Sequence, residues 1–122
     1  MIQKENTPTP VAFEVLVSIN RSMHMHSMYG GNIPRMVEGE WSLYQKDLDT
    51  IEQALVLGIP VIVTACYHGR TLTSYKVNDV RTSRRNQGVC FSLGEEVTMS
   101  STPRIRKLTR RGYRLEEVYS ID

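Results

Sequence analysis

The chain has 122 residues, of which 40% are hydrophobic and 23% charged, the size and composition of one globular domain. We therefore expect a single core and no multidomain architecture. No stretch approaches the roughly 18 consecutive apolar residues of a membrane-spanning helix, and 15 Lys and Arg against 13 Asp and Glu give a net charge of only +2.

The charges are distributed unevenly along the chain. Residues 70–114 hold eleven basic and three acidic side chains, a net charge of +8, so the rest of the chain carries −6. Polarity of this kind favours an anionic partner for the basic half. The alternative is a solvated basic face that the acidic half of the same molecule balances.

The first ten residues are too polar for a secretory signal, and the run Thr7-Pro8-Thr9-Pro10 cannot form a helix. We predict a flexible leader over 1–10, a single ligand-binding domain over 11–122 and a cytoplasmic protein without a membrane partner. Cys66 and Cys90 match no CxxC motif, so we expect free thiols rather than a zinc or redox site. A disulfide between them stays open if their strands are neighbours.

The first predicted element is a strand from Val11 to Ile19, where hydrophobic residues alternate with other residues at the period of two expected of a half-buried strand. Residues 20–41 show no sustained period and include Pro34, so we predict a loop there, with a short strand within it as the open alternative. Within it, Gly30-Gly31 favours a simple turn over a phosphate loop, because the Walker and dinucleotide patterns are absent.

A helix is predicted over 43–57. Ser42 and Gln45 make a capping box, apolar residues follow at helical spacing, and Gly58 and Pro60 end the pattern. This is the one main helix that the sequence predicts.

A β-meander follows the helix. Alternating residues over 61–67 and 71–80 flank His68-Gly69, which predicts a hairpin. A second turn over 84–88 leads to a third strand over 89–93. These three strands predict a strongly bent antiparallel sheet.

Two interpretations are open for residues 104–111. Thr102 as N-cap, Pro103 at the first helical position and Gly112 at the end frame a short helix or turn, and the same frame tolerates a strand. A closing strand is predicted over 113–121. Together the elements predict a single small α+β domain, a strongly bent antiparallel sheet with one main helix.

One apolar core is expected from these elements. Its predicted members are the apolar positions whose spacing matches the helix and the strands: Phe13, Val15, Val17, Leu48, Ile51, Leu55, Val61, Val63, Val77, Val89 and Phe91.

The order helix, glycine, strand, turn, bent strand, turn, strand resembles the small Sm-like barrels. The resemblance implies an Sm-like or SH3-like barrel with one main helix as the alternative to an open sheet. Five runs carry a narrower resemblance: Ile51-Glu52-Gln53-Ala54-Leu55, Val61-Ile62-Val63, His68-Gly69-Arg70, Val77-Asn78-Asp79-Val80 and Arg104-Ile105. Over about 48–108 they are similar to two Sm-like groups, the Rho-inhibitor Rof and the WYL ligand-sensing domain, although a Trp-Tyr-Leu tripeptide is absent. The resemblance implies a non-enzymatic domain that binds RNA, nucleotides or a nucleic-acid-binding partner, often as a ring or dimer.

Residues 104–113 form the first candidate binding site. Guanidinium groups suit bidentate contacts with phosphate, and a neighbouring aromatic ring can stack on a base. If the segment is helical, Arg106, Arg110 and Tyr113 share a face. The predicted ligand-binding residues are Arg104, Arg106, Arg110, Arg111 and Tyr113. The alternative is a solvated basic segment paired with acidic residues such as Glu116.

The second candidate is the turn before the predicted third strand. Asn86 and Gly88 already supply its flexible positions, so turn propensity alone does not explain its arginines. Arg84, Arg85 and Asn86 can clamp an anion, and Phe91 in the strand that follows can stack on a base. The alternative is plain surface exposure of the turn.

Other motifs favour neither a metal nor catalysis. In an extended run 22–28 the histidines face away from the methionines, so a loop against the core is predicted rather than a Cu(I) site. The GxSxG and HExxH motifs are absent. Cys66 and His68 share a strand face without a third orienting group, and a Cys-His nucleophile is the remaining catalytic option.

These observations predict a non-enzymatic binding module for a phosphate-bearing ligand, a nucleotide or RNA, held by the basic half without a cofactor and in a homo-oligomer. A narrower version is a phage-type sponge that sequesters a cyclic nucleotide immune signal. The alternative is a protein-interaction inhibitor that docks its basic face on an acidic partner surface. A steep salt dependence of binding distinguishes RNA from a small nucleotide.

Overall fold

Five strands form one mixed sheet in the order β4-β3-β2-β1-β5. The computed structural model describes residues 9–24, 31–82, 88–100 and 102–119, so most of the predicted leader over 1–10 lies outside the described residues. The strands are β1 Ala12–Ser18, β2 Val61–Tyr67, β3 Arg70–Thr82, β4 Val89–Val97 and β5 Tyr113–Val118; the helices are α1 Asn20–Met23, α2 Ile33–Glu38 and α3 Gln45–Leu57. These elements confirm the predicted α+β class.

The two central strands, β1 and β2, run parallel, whereas the other three pairs are antiparallel. The prediction of an antiparallel sheet is therefore wrong at this pair. A parallel pair needs a crossover connection, and the helix predicted over 43–57 lies within it. The predicted barrel is not confirmed, because β4 and β5 lie at opposite ends of the strand order among the described residues.

Helix α3 begins two residues later than predicted. Its N-cap is Tyr44 in an extended conformation without a side-chain cap, so the capping box is wrong, and the Ser42 hydroxyl accepts a hydrogen bond from Arg111 instead. The predicted stop is confirmed: Gly58 has a left-handed φ of 75° that glycine adopts without steric cost.

The predicted loop over 20–41 contains two short helices, α1 and α2, and is corrected at these residues. Helix α2 forms because Asn32 caps it: its side-chain oxygen accepts a hydrogen bond from the Arg35 N–H at 3.2 Å, and Pro34 occupies the first turn, where no N–H is needed. Residues 25–30, with most of the methionine and histidine run, lie outside the described residues.

The predicted hairpin between β2 and β3 is confirmed. Tyr67 pairs with Arg70, and the two turn residues His68 and Gly69 both have positive φ, 51° and 77°, as in a type I′ turn. Strand β3 continues well past β2, and its pairing with β4 shifts register on both sides of Val77. Such bulges increase the bend of a strand pair.

The helices cover one face of the sheet. Alternate residues of β1, such as Val15 and Val17, are fully buried there in a cluster with Ile51 and Ala54 of α3. Glu14 and the other residues of opposite phase were predicted on the exposed side of a half-buried strand. Ala12, Glu14 and Leu16 are buried as well and Ser18 is partly buried, so the prediction of an exposed side is wrong for β1.

Residues 102–109 cover the second face; we call them the crossing segment. Arg104 reaches Glu14 on β1, and the backbone N–H of Arg106 donates to the Gly69 carbonyl at 2.7 Å. A Cβ on Gly69 would lie 3.1 Å from the Arg106 carbonyl oxygen, so the close approach favours glycine in the turn. The crossing segment contains no helix; it is irregular, and a bridge from Ile105 to Arg70 joins it to the described part of the sheet.

The observed core matches most of the predicted one. Eight predicted members are buried, whereas Phe13, Leu48 and Leu55 are only partly buried and pack at its edge. The predicted core does not include Tyr113, which is 1% exposed. Tyr113 is buried because it pairs with Val17 and continues the apolar side of β1 on the neighbouring strand.

Truncation of Ile51 to Ala is expected to destabilise the protein by about 2 to 5 kcal/mol, because its fully buried side chain joins α3 to the sheet. Denaturant unfolding measures this loss. The matched control is Val56→Ala on the same helix, which removes an 81% exposed side chain and should change stability by less than about 0.5 kcal/mol. Equal losses for the two variants contradict the packing described.

None of the described helices is both long and apolar enough to cross a bilayer.

Candidate ligand-binding cleft

Arg104, a predicted ligand-binding residue, is engaged inside the protein. Its two terminal nitrogens donate to the two carboxylate oxygens of Glu14 at 2.8 and 2.6 Å, a bidentate ion pair. Glu14 is 1% exposed and the Arg104 side chain 21% exposed. The pair fastens the crossing segment to β1, and it neutralises the charge that a phosphate would require.

Hydroxyl groups complete the surroundings of this pair. Thr64 donates to Glu14 at 2.5 Å and lies 2.7 Å from the Ser74 hydroxyl, while Thr71 accepts from the backbone N–H of Arg104. Burial raises the pKa of Glu14, but the hydrogen bonds from Arg104 and Thr64 and the charge of Arg104 outweigh it, so the pKa lies below its ordinary value. A cavity of about 290 Å³ adjoins the pair.

A second ion-pair group involves Arg106 and Arg114. Both side chains reach the carboxylate of Glu116, at 3.2 and 3.0 Å. The alternative considered for the basic cluster, pairing with acidic residues of the same chain, therefore applies to Arg104, Arg106 and Arg114.

The remaining cations of this region stay exposed. Within the described part of the chain, Lys107 and Arg110 make no ion pair, and both are exposed. Arg111 also forms no ion pair there, but its guanidinium is held in place by polar and aromatic contacts.

Arg111 lies over the ring of Tyr44. Its guanidinium carbon is 4.0 Å from the ring centroid, and Nη1 donates to the Ser42 hydroxyl at 3.1 Å. Tyr44 is 44% exposed and Arg111 is exposed, so the stacked pair lies at the surface. This arrangement fixes an arginine side chain that would otherwise move freely, and it leaves guanidinium donors available to a ligand.

The stacked pair borders a cavity of about 500 Å³, which we call the Arg111 cleft. The cleft lies at the beginning of α3 and beside the end of the β3–β4 hairpin. Its lining residues are Ser42, Leu43, Tyr44, Gln45, Leu48, Thr82, Val89 and Arg111.

Tyr113 is hydrogen-bonded to Tyr44, one of the residues that line the cleft. Its hydroxyl donates to the Asp47 carboxylate and accepts from the backbone N–H of Tyr44 at 3.0 Å. Burial, together with the bond to Asp47, raises the pKa of Tyr113 to about 12. The Tyr113 ring is therefore a buried support that orients Tyr44, and it has no exposed face for a base.

The predicted residues are thus brought together only in part. Because residues 104–111 are not helical, Arg106, Arg110 and Tyr113 do not share a helix face. Phe91 is fully buried in the core. Arg84, Arg85 and Asn86 lie outside the described residues, so the turn site stays a prediction.

Sequence reasoning missed Tyr44 and Ser42 as site residues. The sequence predicts Ser42 as the helix cap and places Tyr44 within the helix predicted over 43–57. Its exposure follows from the later helix start at Gln45, which places Tyr44 at the N-cap. No local signal links Ser42 to Arg111, which is 69 residues away in sequence.

The catalytic option is weakened by the surroundings of Cys66. Burial raises the pKa of this thiol to about 11, so the nucleophilic thiolate is scarce at neutral pH. His68 lies exposed in the β2–β3 turn. Both cysteines are free, and no group of three metal-ligating side chains occurs among the described residues.

No protein-family model matches the chain, and comparison with curated proteins and with solved structures finds no significant similarity. The resemblance to Sm-like barrels, to the Rof group and to WYL domains therefore stays a prediction. Any function has to be argued from the site itself.

Proposed function

We propose that this chain is a non-enzymatic binding module that holds a phosphate-bearing ligand, a small nucleotide, in the Arg111 cleft. The observation that carries the proposal is the guanidinium of Arg111, held over the exposed Tyr44 ring at the mouth of a cavity of about 500 Å³.

Each part of the cleft suits one part of a nucleotide. A guanidinium offers forked donors to phosphate oxygens, and its fixed position lowers the entropic cost of binding. The exposed part of Tyr44 offers an aromatic surface to a base. The N-terminal end of α3, a helix of 13 residues, adds a favourable field for negative charge.

The size of the cleft favours a small ligand over a polymer. Small-molecule sites occupy about 300 to 1,000 Å³, and this cavity falls within that range. A long RNA would use a continuous basic groove, whereas Arg104, Arg106 and Arg114 are already paired with acidic residues. Arg110 precedes Arg111 in the sequence and is exposed, so in this proposal it supplies a second cation for the phosphates.

The proposal is tested by heating the purified protein with a panel of mononucleotides, cyclic dinucleotides and short RNAs. A ligand that binds the folded state raises the melting midpoint, by an amount that grows with its concentration. A shift with a mononucleotide or a cyclic dinucleotide supports the proposal, and the latter also supports the narrower role as a sponge for a signal nucleotide. No shift with any member of the panel overturns it.

Replacing Arg111 by Ala is expected to weaken nucleotide affinity by about 10-fold to 150-fold, the loss of one charged hydrogen-bond donor worth about 1.5 to 3 kcal/mol. Isothermal titration calorimetry measures the change. The melting midpoint of the free protein should fall by only about 2 to 4 °C, because exposed cation–π contacts contribute about 0.5 to 1 kcal/mol.

The matched control for that variant is Arg35→Ala, which removes an exposed arginine outside the cleft. It should leave affinity unchanged. Equal affinities of wild type and Arg111→Ala place the ligand elsewhere, with the turn residues Arg84 and Arg85 as the next candidates.

The salt dependence of the wild-type affinity separates the ligand classes. A small nucleotide held by few contacts gives a shallow slope, whereas RNA displaces several counterions and gives a steep one. A cytoplasmic location and a homo-oligomer that joins several clefts belong to the same proposal.

A further inference from the structure

An apolar side chain projects from the crossing segment into solvent. Ile105 is 73% exposed, although it lies in an ordered bridge with Arg70. Leu72, two residues beyond Arg70, is 44% exposed on the same strand. The exposed cations Arg70 and Lys107 flank Ile105, one across the bridge and the other two residues along the chain. We call Ile105 and Leu72, together with the cations Arg70 and Lys107, the basic knob.

The opposite face of the molecule carries an apolar groove. Between α3 and the start of β1 lies a cavity of about 430 Å³, bordered by Phe13, Ala54, Leu57 and Ile59. Leu57, at the border of this cavity, is 63% exposed. The groove is therefore an apolar surface that the described part of this chain leaves open.

Two acidic residues border this groove. Asp49 is one of its lining residues, and the exposed Glu117 of β5 pairs directly with the lining residue Phe13. We call the groove with these two carboxylates the acidic groove. Apolar surface framed by one sign of charge indicates a partner that presents an apolar group framed by the opposite sign.

We propose that the partner is a second copy of this chain, whose basic knob docks in the acidic groove. Both halves of such a contact are present on one molecule, and their charges are complementary. The proposal gives the homo-oligomer named above a specific interface, and it is tested separately from nucleotide binding, because neither surface includes a residue that lines the Arg111 cleft.

The positions of the two surfaces determine the type of assembly. The knob belongs to the segment that covers the sheet face opposite α3, whereas the groove lies beside α3. Because the two surfaces lie on opposite faces of the sheet, one interface cannot contain both of them reciprocally about a twofold axis, so the contact is heterologous. Such contacts close into rings or continue as filaments, and they do not form a twofold dimer.

Sedimentation of the full chain over a range of concentrations provides the first test. The average mass should rise above 14.0 kDa with concentration at low salt and fall when salt is added, because salt screens the charge pairs. A mass of one chain at every concentration and salt overturns the proposal.

Two variants provide the sharper test. Ile105→Asp removes the knob, and Leu57→Arg places a cation in the groove; both positions are exposed, and far-UV circular dichroism and melting check that each variant folds. Each variant alone should be monomeric. Because each retains the intact half that the other lacks, their mixture should form a complex of two chains and stop there.

A mixture that stays monomeric contradicts the heterologous contact.

The matched control is Tyr44→Asp, which adds the same charge as Ile105→Asp at an exposed residue outside both surfaces. It should associate like the wild type while losing nucleotide affinity, so a failure of self-association and a failure of the proposed function are distinguishable. If Ile105→Asp does not fold, Ile105→Ser serves in its place.

Discussion

Replacing Glu14 by Gln is expected to destabilise the protein by about 3 kcal/mol, and replacing Arg104 by Met by about 5 kcal/mol, as measured by denaturant unfolding at neutral pH. Removing one member of a buried ion pair leaves the other charge without its partner. The two losses differ because Arg104 is 21% exposed and can reach water, whereas Glu14 is 1% exposed and cannot.

The pH dependence of stability identifies the pair more specifically. The pKa of Glu14 is lower in the folded protein than its ordinary value of 4.5, so near that pH the unfolded chain binds more protons. The pair's contribution is therefore complete above about pH 4.5 and is lost as the pH falls through the lower folded pKa. In Glu14→Gln this part of the acid destabilisation should disappear.

A double variant controls for the loss of packing. Glu14→Leu with Arg104→Met replaces the pair by apolar groups of similar length, and it should recover much of the stability lost in the single variants. If Glu14→Gln, Arg104→Met and the double variant all unfold at the wild-type midpoint, the ion pair does not hold the crossing segment.

The same pair shows why the binding residues were only partly predictable. The basic cluster is visible in the sequence, but an arginine bound to phosphate and an arginine bound to a distant carboxylate have the same local pattern. Glu14 lies 90 residues before Arg104, and only the alignment of β1 with the crossing segment brings them together. The ion pair of Arg106 with Glu116 differs, because the two residues are only ten positions apart and the sequence already indicates Glu116 as an acidic partner.

The predictable part of the fold rests on local interactions. The end of α3 at Gly58 and the turn at His68-Gly69 are determined by backbone conformations that few residues adopt, so short sequence patterns predict them. The parallel pairing of β1 with β2 depends on a long crossover that encloses α3, and no pattern within either strand distinguishes it from antiparallel pairing.

The burial of β1 on both faces illustrates the same limit. The alternation of residues in β1 predicts one exposed side. Glu14 lies on that side, and its charged carboxylate is a group that normally faces water. The crossing segment supplies Arg104, which compensates that charge in the interior. The crossing segment follows 90 residues after β1, so no pattern within the sequence of β1 predicts that this segment covers it.

Phe91→Ala is expected to cost about 3 to 5 kcal/mol of folding stability and to leave nucleotide affinity per folded molecule unchanged. The sequence placed Phe91 among both the core and the stacking residues, and the structure buries it completely. A ring without exposed surface cannot meet a base, whereas its removal leaves a cavity between the helices and the sheet.

Calorimetric titration below the melting midpoint of the variant separates the two effects of Phe91. Phe91→Leu is the control: it keeps most of the buried volume, so it should be less destabilised and bind equally well. If Phe91→Ala instead keeps its midpoint and loses affinity about tenfold, the ring contacts the ligand. The binding site would then lie at β4, and the Arg111 cleft would no longer account for nucleotide recognition.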